Sequence, residues 1–152
     1  MSHELLTILI GASPLAELRG ALPMAIGIFK FSPFKAYILS VLGNIIIIPF
    51  VLLFLIKFSN YLMHHSYYVN RFFTWLFERT RRKHTKQFEI WGTLALFIFT
   101  AIPLPLTGAW SACAAAFVFG VDFWKAVASI ALGVLAAGLI VLAVTLSVIN
   151  IF

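Results

Sequence analysis

Charge is what this chain has least of. Only 11% of its 152 residues are charged, five of them acidic, while 62% are hydrophobic. A soluble domain carries about 25% charge and about 45–50% apolar residues. A soluble fold of this length has no interior large enough for so much apolar surface, so a bilayer must be its solvent. A single membrane domain over residues 1–152 is expected. With one cysteine, Cys113, an intramolecular disulfide is excluded. No Ser-His-Asp set, CxxC, HExxH or Gly-rich phosphate motif is present, so the sequence offers no enzyme chemistry, metal site or cofactor. The net charge of +6 gathers in one linker, which is a topology signal and not a nucleic-acid surface. The N-terminus lacks the basic start of a signal peptide and reads as part of the fold.

Two hydrophobic runs are clean. Residues 36–56 carry no charge between Lys35 and Lys57. At about 1.5 Å per residue they span a hydrocarbon core of roughly 30 Å. Residues 126–152 form the second run, opened by Asp122 and Lys125. Two other blocks are broken. Residues 5–29 contain Gly11, Pro14, Gly20, Pro23 and Gly27, with Glu17 and Arg19 near the middle. Residues 90–121 are interrupted by Pro103, Pro105 and Gly108. Two apolar arms around a polar or proline-rich centre read as a re-entrant helical hairpin. The alternative is one kinked span.

Sliding the sequence by 90 residues places Lys35-Ala36 on Lys125-Ala126 and Leu42-Gly43 on Leu132-Gly133. Ser32 then meets Asp122, Phe34 meets Trp124 and Ala25 meets Ala115. The expected fold is therefore all-α: a first repeat over 4–57, an amphipathic linker over 58–89 and a second repeat over 90–152. One hairpin plus one spanning helix begins and ends on opposite faces of the membrane. The two repeats are then inverted, an arrangement that recurs in secondary transporters, with the site where the broken helices meet. The linker carries Arg71, Arg79, Arg81, Arg82, Lys83 and Lys86 among many aromatics. Basic residues beside aromatics suit a cytoplasmic headgroup layer, so membrane lipids are expected partners. With hairpins both termini face outward; with four full spans both face inward.

Glu17 and Arg19 are the sharpest feature. Each costs about 2.5–3.5 kcal/mol at membrane depth, so such charges face a protein interior or a cavity. Two apart on one helix, they point about 200° away from each other and pair poorly. Either they bind substrate and proton, or they hold a hairpin tip together. Asn44, Thr107 and Ser111 join them as candidate polar contacts, Thr107 and Ser111 by donating towards Glu17 where the tips meet. Pro14, Gly20, Pro23, Gly27, Pro103, Pro105 and Gly108 are the expected hairpin formers. Pro49 frees a carbonyl one turn back in the first spanning helix. His64, His65 and His84 lie in the linker without metal spacing and are expected in solvent or among headgroups. Ser129, Gly133 and Ala137 form a small-residue stripe that permits close helix contact within one chain or in a homodimer.

The run from Glu17 to Gly27, Glu-Leu-Arg-Gly-Ala-Leu-Pro-Met-Ala-Ile-Gly, followed by Pro103-Leu-Pro-Leu-Thr-Gly108, resembles the prokaryotic small multi-drug export protein family over nearly the whole chain. Arg19, Pro23 and Gly27 are also similar to a short pattern of the DedA (VTT-domain) membrane proteins. Together these resemblances imply a transporter of the cytoplasmic membrane, or a flippase for lipid or lipid-phosphate, coupled to protons. Glu17 would titrate and Arg19 would contact an anionic head. The second hairpin lacks the carboxylate that the DedA pattern implies. The other reading is a non-transporting scaffold with structural charges, which predicts a closed interior without a polar cavity.

Overall fold

The computed structural model describes residues 1–81 and 86–152. The side chains of residues 80–88 are not described, so the part of the basic cluster formed by Arg81, Arg82, Lys83 and Lys86, together with His84, lies outside the description. Among the described residues there are seven helices and no strand: α1 (His3–Ala12), α2 (Glu17–Gly27), α3 (Pro33–His65), α4 (Tyr67–Arg81), α5 (Lys86–Ala101), α6 (Ala109–Phe119) and α7 (Phe123–Ile151). The helix order is the same in both halves: short apolar helix, break, 11-residue helix, long helix.

Local chemistry sets the boundaries. The Ser2 hydroxyl caps α1, and the Ser32 hydroxyl caps α3 ahead of Pro33 at its first turn. Pro14 disfavours helix at Ser13, and Ser13 is extended, so α1 stops. Pro103 interrupts the second block in the same way. Gly120 ends α6 in the left-handed conformation at φ 69, while the Val121 amide reaches back to the Ala116 carbonyl.

In each half the first two helices fold back on one another. The His3 and Phe29 rings, at opposite ends of the first broken block, stack at 4.6 Å. In the second block a side chain at Gly92 would touch Val121. An ion pair closes each open end, Lys35 with Glu4 at 2.5 Å and Lys125 with Glu89 at 3.2 Å. The lysines are the pair matched by the 90-residue offset. The glycines of that offset act alike too: a methyl group on Gly43 would lie 2.2 Å from the Ile8 carbonyl oxygen, and one on Gly133 would lie 2.6 Å from Thr100. Each long helix thus presses its backbone against the first helix of its own half. The small-residue stripe around Gly133 is therefore used inside the chain.

α3 links the two open ends. Lys35 is at the open end of the first half. Ser59 and Met63 share a cleft of about 410 Å³ with Phe117 and Phe123, at the open end of the second half. The 24 residues from Lys35 to Ser59 cover about 36 Å of helix. Between these ends the two breaks face each other. The buried face of α3 recurs every three or four residues through Ala36, Ser40, Gly43, Asn44, Ile48, Val51 and Leu52. Its other face exposes Ile38, Leu42, Ile46, Phe50, Leu53 and Phe54, as a lipid-facing helix does. α3 and α7 have 33 and 29 residues and a mean hydropathy of 2.7 each over their most apolar windows, so both are long and apolar enough to cross a membrane.

Several expected boundaries move. α3 continues past Lys57 to His65 because nothing between them breaks a helix, so residues 58–65 belong to it and not to the linker. α7 starts at Phe123 and α5 already at Lys86. Pro23 lies inside α2, Gly27 is its last residue and Gly20 sits in its second turn. None of these three forms the turn, which residues 13–16 make. α4 is the amphipathic helix of the linker. Its Phe73 and Phe77 pack on Phe117, while Tyr68, Phe72 and Trp75 are exposed.

Candidate functional site

Each turn is stapled by one hydroxyl. In the first, the Ser13 hydroxyl donates to the Ile10 carbonyl at 2.8 Å and accepts the Ala16 amide at 3.3 Å. In the second, the Thr107 hydroxyl lies 2.7 Å from the carbonyls of both Ile102 and Leu104 and accepts the Leu104 amide at 3.1 Å. Each turn region also holds one non-glycine residue in the left-handed region, Glu17 at φ 48 and Leu106 at φ 69. Such a backbone costs on the order of 1–3 kcal/mol and gathers at functional sites.

The two turns are joined by polar contacts. The Arg19 guanidinium donates to the Leu104 carbonyl and, at 3.0 Å, to the Thr107 hydroxyl. The Trp110 indole N–H donates to the Ala12 carbonyl at 3.1 Å. The Trp110 backbone amide donates to Glu17 Oε1 at 3.4 Å. Gly108, the N-cap of α6, makes no side-chain cap of its own. Glu17 therefore caps α6 from the other half of the molecule, where the helix end favours negative charge. A cavity of about 590 Å³ lies at this junction. Glu17, Arg19, Thr107, Trp110 and Ser111 line it, with Leu15 and Leu106 at the turn tips.

The expected site residues are partly brought together. Glu17, Arg19, Thr107 and Ser111 share the cavity, and Glu17 and Arg19 reach different groups of the second half instead of forming an ion pair. Neither expected donor reaches Glu17: Thr107 is occupied in its own turn, and the Ser111 hydroxyl donates to the Gly108 carbonyl at 3.4 Å. Asn44 does not line the cavity. It belongs to the buried face of α3, beside the Gly43–Ile8 contact, and its side-chain oxygen has no partner among the described residues. His64 and His65 end α3 exposed, His65 close to the Tyr61 carbonyl. No cluster suited to a metal occurs among the described residues.

Trp110 escapes the sequence reading. Its contact with Glu17 runs through a backbone N–H, which every residue type but proline supplies. Gly108 is legible as a turn former, but the structure gives it another role. Its backbone is extended at φ 165, which any residue adopts. A methyl group there would lie 1.9 Å from Glu17 Oε2. Gly108→Ala is therefore expected to expel the carboxylate and uncap α6, lowering stability by about 1–2 kcal/mol. A melting temperature in detergent equal to that of the unsubstituted protein would contradict this.

The fold and the cavity define a helical membrane protein with two matched halves meeting at a polar junction. The chain belongs to the family described as "Putative small multi-drug export protein", whose model matches residues 17–140. That description points to export at a coarse level. No curated protein and no solved structure matches the chain.

Proposed function

We propose that this chain is a small, proton-coupled secondary transporter, multi-pass in the cytoplasmic membrane, with its substrate site in the cavity between the two turns. The observation that carries the reading is the 590 Å³ cavity containing Glu17 and Arg19. A scaffold with structural charges would close that space. The two broken blocks are read as re-entrant hairpins of inverted repeats. The stacked His3 and Phe29 rings and the path of α3 from one open end to the other support that arrangement. Irregular backbone at membrane depth requires a protein or water-filled surrounding, and the cavity supplies one. The basic residues that the sequence gathers in the linker support a cytoplasmic position for α4.

In this reading Glu17 is the titrating group, and Arg19 bridges the two halves. A lipid-phosphate flippase is the second reading. It is favoured by the meeting of the α2 and α6 N-termini, whose dipoles attract an anionic head. The test is uptake into proteoliposomes under an imposed pH gradient, using one cationic, one anionic and one neutral amphiphile. Gradient-dependent accumulation of at least one is expected. Identical uptake by protein-free vesicles for all three would contradict transport.

A further inference from the structure

We infer that the charged end of the substrate is an organic cation, held between the Glu17 carboxylate and the face of Trp110; this rests on the transport-site reading above. The inventory of donors and acceptors around the cavity is one-sided. Arg19 already donates to Leu104 and Thr107. The Thr107 hydroxyl proton has the Ile102 and Leu104 carbonyls, and the Ser111 hydroxyl donates to Gly108. Both N–H groups of Trp110 are committed, to Glu17 and to Ala12. Each of these donor groups is thus turned onto a protein acceptor.

The acceptor side is open. An ionised carboxylate offers about four lone-pair sites. Glu17 accepts one hydrogen bond, of 3.4 Å, and has no ion-pair partner among the described residues. Arg19 keeps further N–H groups, but turning its fork onto an anion would undo the bridge between the halves. A cation can approach Glu17 without breaking any of these bonds. The indole is pinned by its bond to Ala12 and lines the cavity, and an indole is the aromatic group best suited to an ammonium ligand. Pro14, Leu15, Pro105 and Leu106 supply apolar walls for hydrophobic substituents. Among the described residues the charged or titratable groups that interact electrostatically with Glu17 are Arg19 on its own helix and Cys113 on α6. Proton and cation then compete for one carboxylate, which couples their movements as an exchange.

The test uses two probes of one shape and opposite charge, tetraphenylphosphonium and tetraphenylborate. Equilibrium binding is measured on the protein in nanodiscs of neutral lipid, with empty nanodiscs subtracted. The phosphonium is expected to bind at least about tenfold more tightly than the borate. Its binding should weaken as pH falls, disappear in Glu17→Gln, drop in Trp110→Leu and recover in part in Trp110→Phe. Equal or tighter borate binding by the unsubstituted protein overturns the inference, whatever the variants do. Phosphonium binding unchanged by Glu17→Gln overturns it as well. The expected binding order without movement of any probe in proteoliposomes would overturn the transport reading and leave the cation assignment standing.

Discussion

Glu17→Gln is expected to yield a folded protein that has lost pH-dependent transport. The amide keeps the length and an oxygen that can accept the Trp110 N–H, so the cap on α6 survives in neutral form. Only titration and charge are removed. A single titrating group gives a dependence of up to about tenfold per pH unit on the limb where it changes state. The variant should lose that limb while its melting temperature in detergent stays near that of the unsubstituted protein. Unsubstituted pH behaviour in Glu17→Gln would rule out the proton role. A large drop in melting temperature with transport unchanged would instead make the carboxylate a structural cap.

The second large effect is at Arg19. Its guanidinium holds two acceptors of the second turn, the Leu104 carbonyl and the Thr107 hydroxyl. A hydrogen bond to a charged group contributes about 1.5–3 kcal/mol. Arg19→Ala removes both and is expected to cost about 2 kcal/mol after allowance for partial exposure. Arg19→Lys is the sharper probe. A lysine ammonium is a point charge without the planar fork, so it can hold one acceptor well and the other poorly. Arg19→Lys should therefore lose most transport and part of the stability. Full transport by Arg19→Lys would show that the charge matters and the bridge between the halves does not.

Much of the architecture is legible because membrane depth restricts which residues a helix can carry. Charge-free runs mark α3 and α7, and Pro14 and Pro103 mark the breaks. The 90-residue offset is exact for the long helices, whose first residues are Pro33 and Phe123. It fails inside the broken blocks. By burial, Leu18, Ala21, Leu22 and Ala25 correspond to Ala109, Ala112, Cys113 and Ala116 at an offset of 91. Ala25 thus matches Ala116 and not Ala115. The break over 102–108 is longer than that over 13–16, and a single sliding offset cannot follow a change in loop length.

The site was legible in its charges and not in its geometry. Desolvation cost singles out Glu17 and Arg19 whatever their partners. The partners are mostly backbone groups: the Trp110 amide, the Leu104 carbonyl and the Ala12 carbonyl. Every residue carries such groups, so no residue type announces them. Asn44, a candidate polar contact by sequence, lies instead on the packed face of α3. A polar side chain at depth signals a partner or an interface, and the sequence does not distinguish the two.

The central claim is that the two turn tips share one water-accessible cavity at membrane depth. It is tested most directly by thiol labelling of Leu15→Cys and Leu106→Cys in a Cys113→Ala background, with a membrane-impermeant reagent added to intact and to permeabilised cells. Both leucines are exposed, at 97% and 92%, on opposite turns of the same cavity. Thr74→Cys on α4 serves as the cytoplasmic reference and should react only after permeabilisation. The account predicts that both tip cysteines react from at least one aqueous side, and that tetraphenylphosphonium slows both reactions together. Tip cysteines that stay unreactive from both sides while Thr74→Cys labels normally would place the turns in lipid or in a dry interior, and would contradict it.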